Sequence, residues 1–260
     1  MAEFYINGFS ALTGDARPED FLPFAEARRL RRMEGIAKNA LLCSFRAMSA
    51  AGLDVNAPKN TGLSVAVGAG SLESTCKFMD TIIDDGDELS SPTAFAGSVH
   101  NSTGLTLSAF LHFSGPCVTT GQFDFSFAGA LLTARQFLAR GMCADALVAV
   151  TEDVNPAAAA LAPRHPALFA PVLRAPAGPF ARAAAAFILS SRPTDKTLFA
   201  VSRFSFSRTE EAPSCAAPVS VSTAAHGALE ICRLLSAGQP FAFRDVFAGA
   251  ELLVEAEPYA

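Results

Sequence analysis

Gly115-Pro116-Cys117-Val118-Thr119-Thr120-Gly121-Gln122-Phe123-Asp124-Phe125-Ser126-Phe127 is the stretch that decides the fold. Val118 to Thr120 reads as a strand. Phe127 to Ala139 reads as an alanine- and leucine-rich helix ended by Gly141. At the junction three phenylalanines, Phe123, Phe125 and Phe127, alternate with Asp124 and Ser126. An aspartate just ahead of a helical run is a common N-terminal cap, so Asp124 is expected to cap this helix. Ala146 to Val150 follows as an unbroken apolar strand of the kind buried on both faces.

Upstream, Glu3 to Ile6 reads as a short strand ended by Asn7-Gly8. Asp20 is placed to cap a helix with Pro23 in its first turn, running to about Ala50. Leu63 to Val67 is a small-residue strand closed by Gly68, and Ser71 to Ile83 a helix with an acidic start at Glu73. Asp84 to Asp87 reads as a turn, and Asn101 to Phe113 carries apolar residues at helical spacing. Strand and helix thus alternate through residue 151, the pattern of an α/β layered fold. Downstream, residues 155–179 are an irregular alanine- and proline-rich segment. Ala183 to Ser190 and Leu198 to Ser207 are β-like, and a turn at Arg192 to Lys196 predicts them as antiparallel neighbours. Thr209 to Pro218 reads as a linker, Ala224 to Ser236 as a helix and Ala250 to Glu255 as a last strand. The expected organisation is a single domain over 1–260, made of a lobe at 1–151, a loop at 152–180 and a remainder at 181–260.

Half of the 260 residues are hydrophobic and 17% are charged, with a formal net charge of -5. This surplus of apolar surface suggests an interface with another subunit. The charge balance argues against nucleic-acid binding. Arg28, Arg29, Arg31 and Arg32 form the one basic run, read as a solvated helix face or as a docking patch for an acidic carrier protein. Six scattered cysteines show no CxxC spacing and no pairing with the four histidines. They predict neither a metal site nor a disulfide framework, and no cofactor is expected. No basic-then-apolar leader and no membrane span is read, which makes cytoplasmic the expected location.

Ser91-Pro92, Ser98-Val99-His100-Asn101, Gly115-Pro116, Gly141 and Ala144-Asp145-Ala146 resemble, in order and spacing, the nucleophile half of β-ketoacyl synthases of the thiolase superfamily. Ile6 to Thr13 and Gly62 to Gly70 look like that family's first two strands, and Arg182 to Ser190 like the strand after its glycine-rich loop. The resemblance implies a thiolase-like fold, α/β, layered α-β-α with a mixed sheet. The N-terminal synthase lobe is complete and the C-terminal lobe strongly truncated. Synthases place their cysteine nine residues after the glycine of Gly-Pro, and that count from Gly115 lands on Asp124. The run Asp124 to Leu132 resembles a short chain-length-factor-like group that lacks this cysteine, found with aryl-polyene and related lipid pathways. Such proteins pair with a condensing subunit, which implies a heterodimer with a ketoacyl synthase and an acyl carrier protein as a further partner.

A carboxylate is a poor nucleophile toward a thioester, and an acyl anhydride would hydrolyse quickly. Cys117 and Cys143 read as structural. The histidines and lysine of a synthase's second lobe have no room between the predicted hairpin and Ala224. His100 is the best functional candidate among the histidines, with Asn101 beside it. His226 reads as a helix-start or surface residue, His165 as a loop residue and His112 as a helix end. Phe123, Phe125 and Phe127 are candidate acyl-contacting residues, with ordinary core packing as the plain alternative. Three functions stay open. The first is a non-catalytic partner of a condensing enzyme. The second is a hydrolase or decarboxylase using Asp124. The third is an acyl-binding homodimer.

Overall fold

The computed structural model describes residues 3–25, 30–31, 33–57, 60–85, 90–152, 164, 182–211, 214–215, 225–247 and 249–260. Nine strands form one mixed sheet in the order β3-β2-β4-β5-β1-β6-β9-β8-β7. They are β1 (Phe4–Thr13), β2 (Gly62–Val67), β3 (Cys117–Thr120), β4 (Asp145–Glu152), β5 (Ala183–Ser190), β6 (Phe199–Arg208), β7 (Ser214–Cys215), β8 (Phe241–Phe247) and β9 (Ala250–Pro258). β2 runs parallel to β3 and β4, and the other pairings are antiparallel.

The core explains the layering. Every residue of β5 and all but the first of β4 are buried, so this part of the sheet is covered on both faces. Alternate residues divide between two apolar clusters. Leu147, Ala149, Ala184, Ala186 and Ile188 face α1 (Gly35–Ala50), with Leu41, Phe45 and Met48, and α4 (Ser102–Leu111), with Leu107 and Leu111. Val148, Val150, Ala185, Phe187 and Leu189 face α5 (Ser126–Ala139) and α6 (Ala225–Ser236). The period-2 alternation of a strand feeds both layers from one stretch of chain. The second cluster also takes in Phe204, Phe243, Leu252 and Val254, so the antiparallel end of the sheet wraps around α5 and α6.

Several sequence expectations are corrected. β1 does not stop at Asn7-Gly8: it continues to Thr13, with a register shift between Ile6 and Gly8. Gly8 is there for close approach, because a Cβ would lie 2.9 Å from the Ala51 nitrogen and nearer still to the Ala47 carbonyl of α1. Where the helix is expected to start, at Asp20, the described residues form a one-turn 3-10 segment at Pro18–Phe21, and α1 covers Gly35–Ala50; 26–29 and 32 lie outside the described residues. β5 and β6 are not neighbours. β1 lies between them, pairing with β5 along its length and with β6 at Phe4 to Ile6. The N-terminal strand supplies a closer partner for each than the turn could. The linker expectation missed β7 and no expectation covered β8, a seven-residue strand paired with β9. Ser91-Pro92, read only as part of a motif, starts the short helix α3 (Pro92–Ser98), where the Ser91 hydroxyl accepts from the Ala94 N–H at 3.2 Å. Residues 86–87 of the expected turn and nearly all of the 155–179 segment lie outside the described residues, as does His165.

Gly8→Ala is expected to force β1 and α1 apart and to cost about 1–3 kcal/mol or more of stability. Denaturant unfolding followed by far-ultraviolet circular dichroism checks this. An unchanged midpoint would show that α1 can retreat.

Candidate functional site at the β3–α5 bend

The site is assembled at the carboxyl ends of the parallel strands. After β3 the chain makes a 3-10 turn at Phe123–Phe125 and runs directly into α5. Phe123 sits at φ 49°, in the left-handed region that bulky residues avoid. The bend is tied by Ser126. Its hydroxyl accepts from the Gln122 N–H at 2.7 Å and can donate to the carbonyl of Phe123 at 2.7 Å or of Val67 at 3.0 Å. The second acceptor joins the start of α5 to the end of β2.

Asp124 is 2% exposed. It lies inside the 3-10 turn and is not a cap, because the cap positions of the turn and of α5 are Gln122 and Phe125. The expectation that Asp124 caps the helix is thus corrected, since the extra turn moves it one step into the structure. The three phenylalanines part company. Phe125 packs on Phe206 of β6 with centroids 5.3 Å apart, and Phe127 stacks on Phe187 of β5 at 5.6 Å. Phe123 is 43% exposed.

His100 lies on the surface between α3 and α4, yet its ring is seated on glycines. A Cβ on Gly70, after β2, would meet Nε2 at 3.1 Å, and one on Gly121, after β3, would meet Cδ2 at 3.1 Å. The structure therefore brings His100 to the mouth of the bend. Asn101 is exposed and is the N-cap of α4 without a side-chain cap bond. His112 ends α4 in the left-handed conformation.

His226 lies at the start of α6, as one of its two readings had it, and is buried, which excludes the surface reading. Its Nε2 lies 3.4 Å from Oδ2 of the buried Asp245 on β8. The neighbouring Gly227 packs between Phe243 and Phe127 of α5. Sequence reasoning missed Asp245 because β8 was itself missed. It also missed Glu152, whose buried carboxylate accepts from the N–H groups of Gly68 and Ala69 at 2.9 and 3.2 Å. That carboxylate fixes the loop after β2 beside the bend.

Among the described cysteines, those with a shifted thiol are shifted towards the protonated form. Burial pushes Cys43 up to about 12, and burial likewise raises Cys117 and Cys143. A raised thiol is protonated at neutral pH and unreactive. Cavities of about 420 and 470 Å³ open elsewhere, the first against Glu34, Ser71 and Ser74, the second along α6 between His226 and Ser236. Asp124 lines neither. Among the described residues there is no cluster of three metal-ligating side chains, and no helix is long and apolar enough to cross a membrane.

A doubly covered mixed sheet with a buried polar side chain at a strand-to-helix bend defines the thiolase-like class. Residues 10–191 match the β-ketoacyl synthase N-terminal domain, and the chain belongs to that family. Among curated proteins no sequence matches. Solved structures with the same fold include the ishigamide ketosynthase/chain length factor, at 15% identity and a TM-score of 0.74, covering 99% of both chains. They also include the ketosynthase ApeO in complex with its chain length factor ApeC from Xenorhabdus doucetiae, at 15% identity and a TM-score of 0.66, covering 98% of this chain and 99% of that one. A third is AntDE:AntF, a type II polyketide-synthase acyl-carrier protein in complex with its ketosynthase bound to the hexaketide. It shows 16% identity and a TM-score of 0.66, covering 80% of this chain and 70% of that one.

Ser126→Ala removes the tie between the bend and β2 and is expected to cost about 1–3 kcal/mol, read from chemical denaturation. In the folded protein, iodoacetamide at pH 8 is expected to modify the exposed Cys76 first. Cys43, Cys143 and Cys232 should be protected and Cys117 slow, as peptide mass mapping will show. Rapid alkylation of Cys117 would restore it as a nucleophile candidate.

Proposed function

We propose that the chain is a non-condensing, chain-length-factor-like subunit. It binds a ketoacyl synthase, and with it an acyl carrier protein, in a type II fatty-acid or polyketide pathway of aryl-polyene type. The observation that carries this reading is the bend itself. The position of the synthase thiol holds a buried carboxylate, Asp124, and the surrounding rings and hydroxyl close the turn upon itself. Condensation needs a group that takes the acyl chain from a thioester and keeps it from water until the extender arrives; a carboxylate attacks a thioester poorly, and the anhydride it would form hydrolyses quickly.

The surface supports the partner. β3 is an edge strand with all four residues at least partly exposed, including Val118. α2 (Leu72–Asp85) turns an apolar stripe outward: Leu72, Cys76, Met79 and Ile83 are spaced by four, three and four residues. This is the spacing of a helix–helix seam. Met79 and Ile83 are 45% and 73% exposed. Phe95 and Val99 at α3 and Leu105 on α4, which is 71% exposed, extend the apolar surface through successive elements toward β3. Exposed apolar surface of this continuity marks a protein contact. Two of the similar structures are of ketosynthases with chain length factors and a third includes a carrier protein, which favours a ketosynthase over a second copy.

Co-expression with the condensing enzyme of its own host, followed by native mass spectrometry, should give a 1:1 complex. Leu105→Glu and Val118→Glu should weaken it by about tenfold or more, since each buries a charge in the contact. A chain that stays monomeric beside every synthase of its host overturns the reading. Acyl-thioester hydrolysis abolished by Asp124→Asn would replace it with the hydrolase reading.

A further inference from the structure

The helices that carry the apolar stripe are attached to the body in an unusual way. Neither apolar cluster contains a described residue of α2 or α3, whereas α1, α4, α5 and α6 all contribute to one or the other. No residue of α3 is buried. Polar groups meet the body instead. Ser71 donates to Glu34 Oε2 at 2.7 Å, and Ser74 donates to Glu34 Oε1. Arg182, ahead of β5, reaches Glu73 at 3.4 Å. Beneath the two helices lies the cavity of about 420 Å³, walled by Glu34, Ser71, Ser74, Lys77, Ser91 and Thr93 among others.

Within the pair the bonding is different. Phe78 and Phe95 pack with centroids 5.3 Å apart. The Ser91 N–H donates to Thr81 Oγ1 at 3.3 Å, and Thr75 Oγ1, which donates to the Ser71 carbonyl at 2.9 Å, has the Ser98 carbonyl of α3 as a second acceptor at 3.5 Å. The pair coheres internally and, among the described residues, is tied to the body through the Glu34 carboxylate, the Arg182–Glu73 ion pair and the Ser102 hydroxyl of α4, which donates to the Gly97 carbonyl at 3.2 Å. Glu34 stands at the N-cap of α1, but its side chain makes no cap bond there. Its carboxylate serves α2.

We infer that α2 and α3 form a hinged unit latched to the body by Glu34, and that release of this latch sets the position of the partner-binding stripe. Local opening is governed by the buried apolar contacts and polar bonds that must break, and here no described residue of either helix belongs to a buried apolar cluster. The part of the inference that concerns the stripe rests on the proposed function. The latch itself does not.

Hydrogen–deuterium exchange of the full chain, read by mass spectrometry, tests both parts. In the free protein, peptides covering α2 and α3 should exchange at least about tenfold faster than those of α1 and α5. Glu34→Ala should speed α2 and α3 by roughly a further tenfold, the scale of a lost pair of charge-assisted hydrogen bonds. Glu34→Gln should restore part of the protection, and Ser74→Ala should mimic the loss in part. Exchange in α1 should not change with any of the three. Added ketosynthase should slow α2 and α3.

If α2 and α3 exchange as slowly as α1 in the free chain, or ignore Glu34→Ala, the latch is refuted while the partner reading stands. If α1 accelerates with α2 in the Glu34 variants, Glu34 is a general structural residue and the inference falls. If the latch behaves as expected but no synthase protects the pair, the proposed function fails and the latch survives it.

Discussion

The central strands impose the constraint on which everything else depends. β4 and β5 have helices on both faces, so every side chain must fit between two packed layers. β5 meets this with four successive alanines, Ala183 to Ala186, before Phe187, Ile188 and Leu189 take up the wider space. Interiors pack at crystal-like density, so such a strand leaves helices on each face little freedom of placement. The same demand appears in the glycine of β1 that lets α1 approach. The architecture is thus set by volume at the middle of the sheet and owes nothing to the residues at the strand ends. Under the proposed function, a carboxylate standing where a synthase has its thiol would leave this frame undisturbed.

On that reading the bend would differ from a synthase's in chemistry more than in shape. A synthase bend has to present a nucleophile and keep it accessible. Here Asp124 is buried, Phe125 and Phe127 are absorbed into the core, and Ser126 spends its hydroxyl on the turn and β2. The strain at Phe123 remains. Backbone strain of this kind costs of order 1–3 kcal/mol and persists only where the surroundings enforce it. Here the enforcing group is Ser126, which bonds on both sides of Phe123.

The sequence exposed most of the strands and concealed β7, β8 and the order of the antiparallel ones. Leu63 to Val67, Ala146 to Val150 and Ala183 to Ser190 are apolar runs bounded by breakers, and such runs announce buried strands. β8 carries Arg244 and Asp245 amid its phenylalanines, which masks the pattern until the fold shows one face covered and the other open. The order of β5, β1 and β6 was hidden for another reason. Proximity along the chain favours a hairpin, while the true partner of both strands lies at the N-terminus. For the site, the count from Gly115 located Asp124 but could not show its burial. His226 looked superficial because its partner Asp245 belonged to an unseen strand. Glu152 offered no signal at all, since a carboxylate ending an apolar strand reads as a surface residue.

The far side of the sheet explains where a partner can and cannot sit. The outer face of β6, β9 and β8 bears Arg203 paired with Glu255 at 3.6 Å, and Arg244 paired with Glu251 at 2.8 Å and Glu211 at 2.7 Å. Such pairs contribute little stability in water, roughly 0–1 kcal/mol each, but they would be costly to bury. Among the described residues this face therefore suits solvent. The apolar excess evident in the composition is found instead on α2, α3, α4 and β3, next to the bend. A partner seated there would lie against the strand ends where the reacting thiol of a synthase would be. Under the proposed function, the chain would give up chemistry at its own bend and keep the surface that brings another bend close.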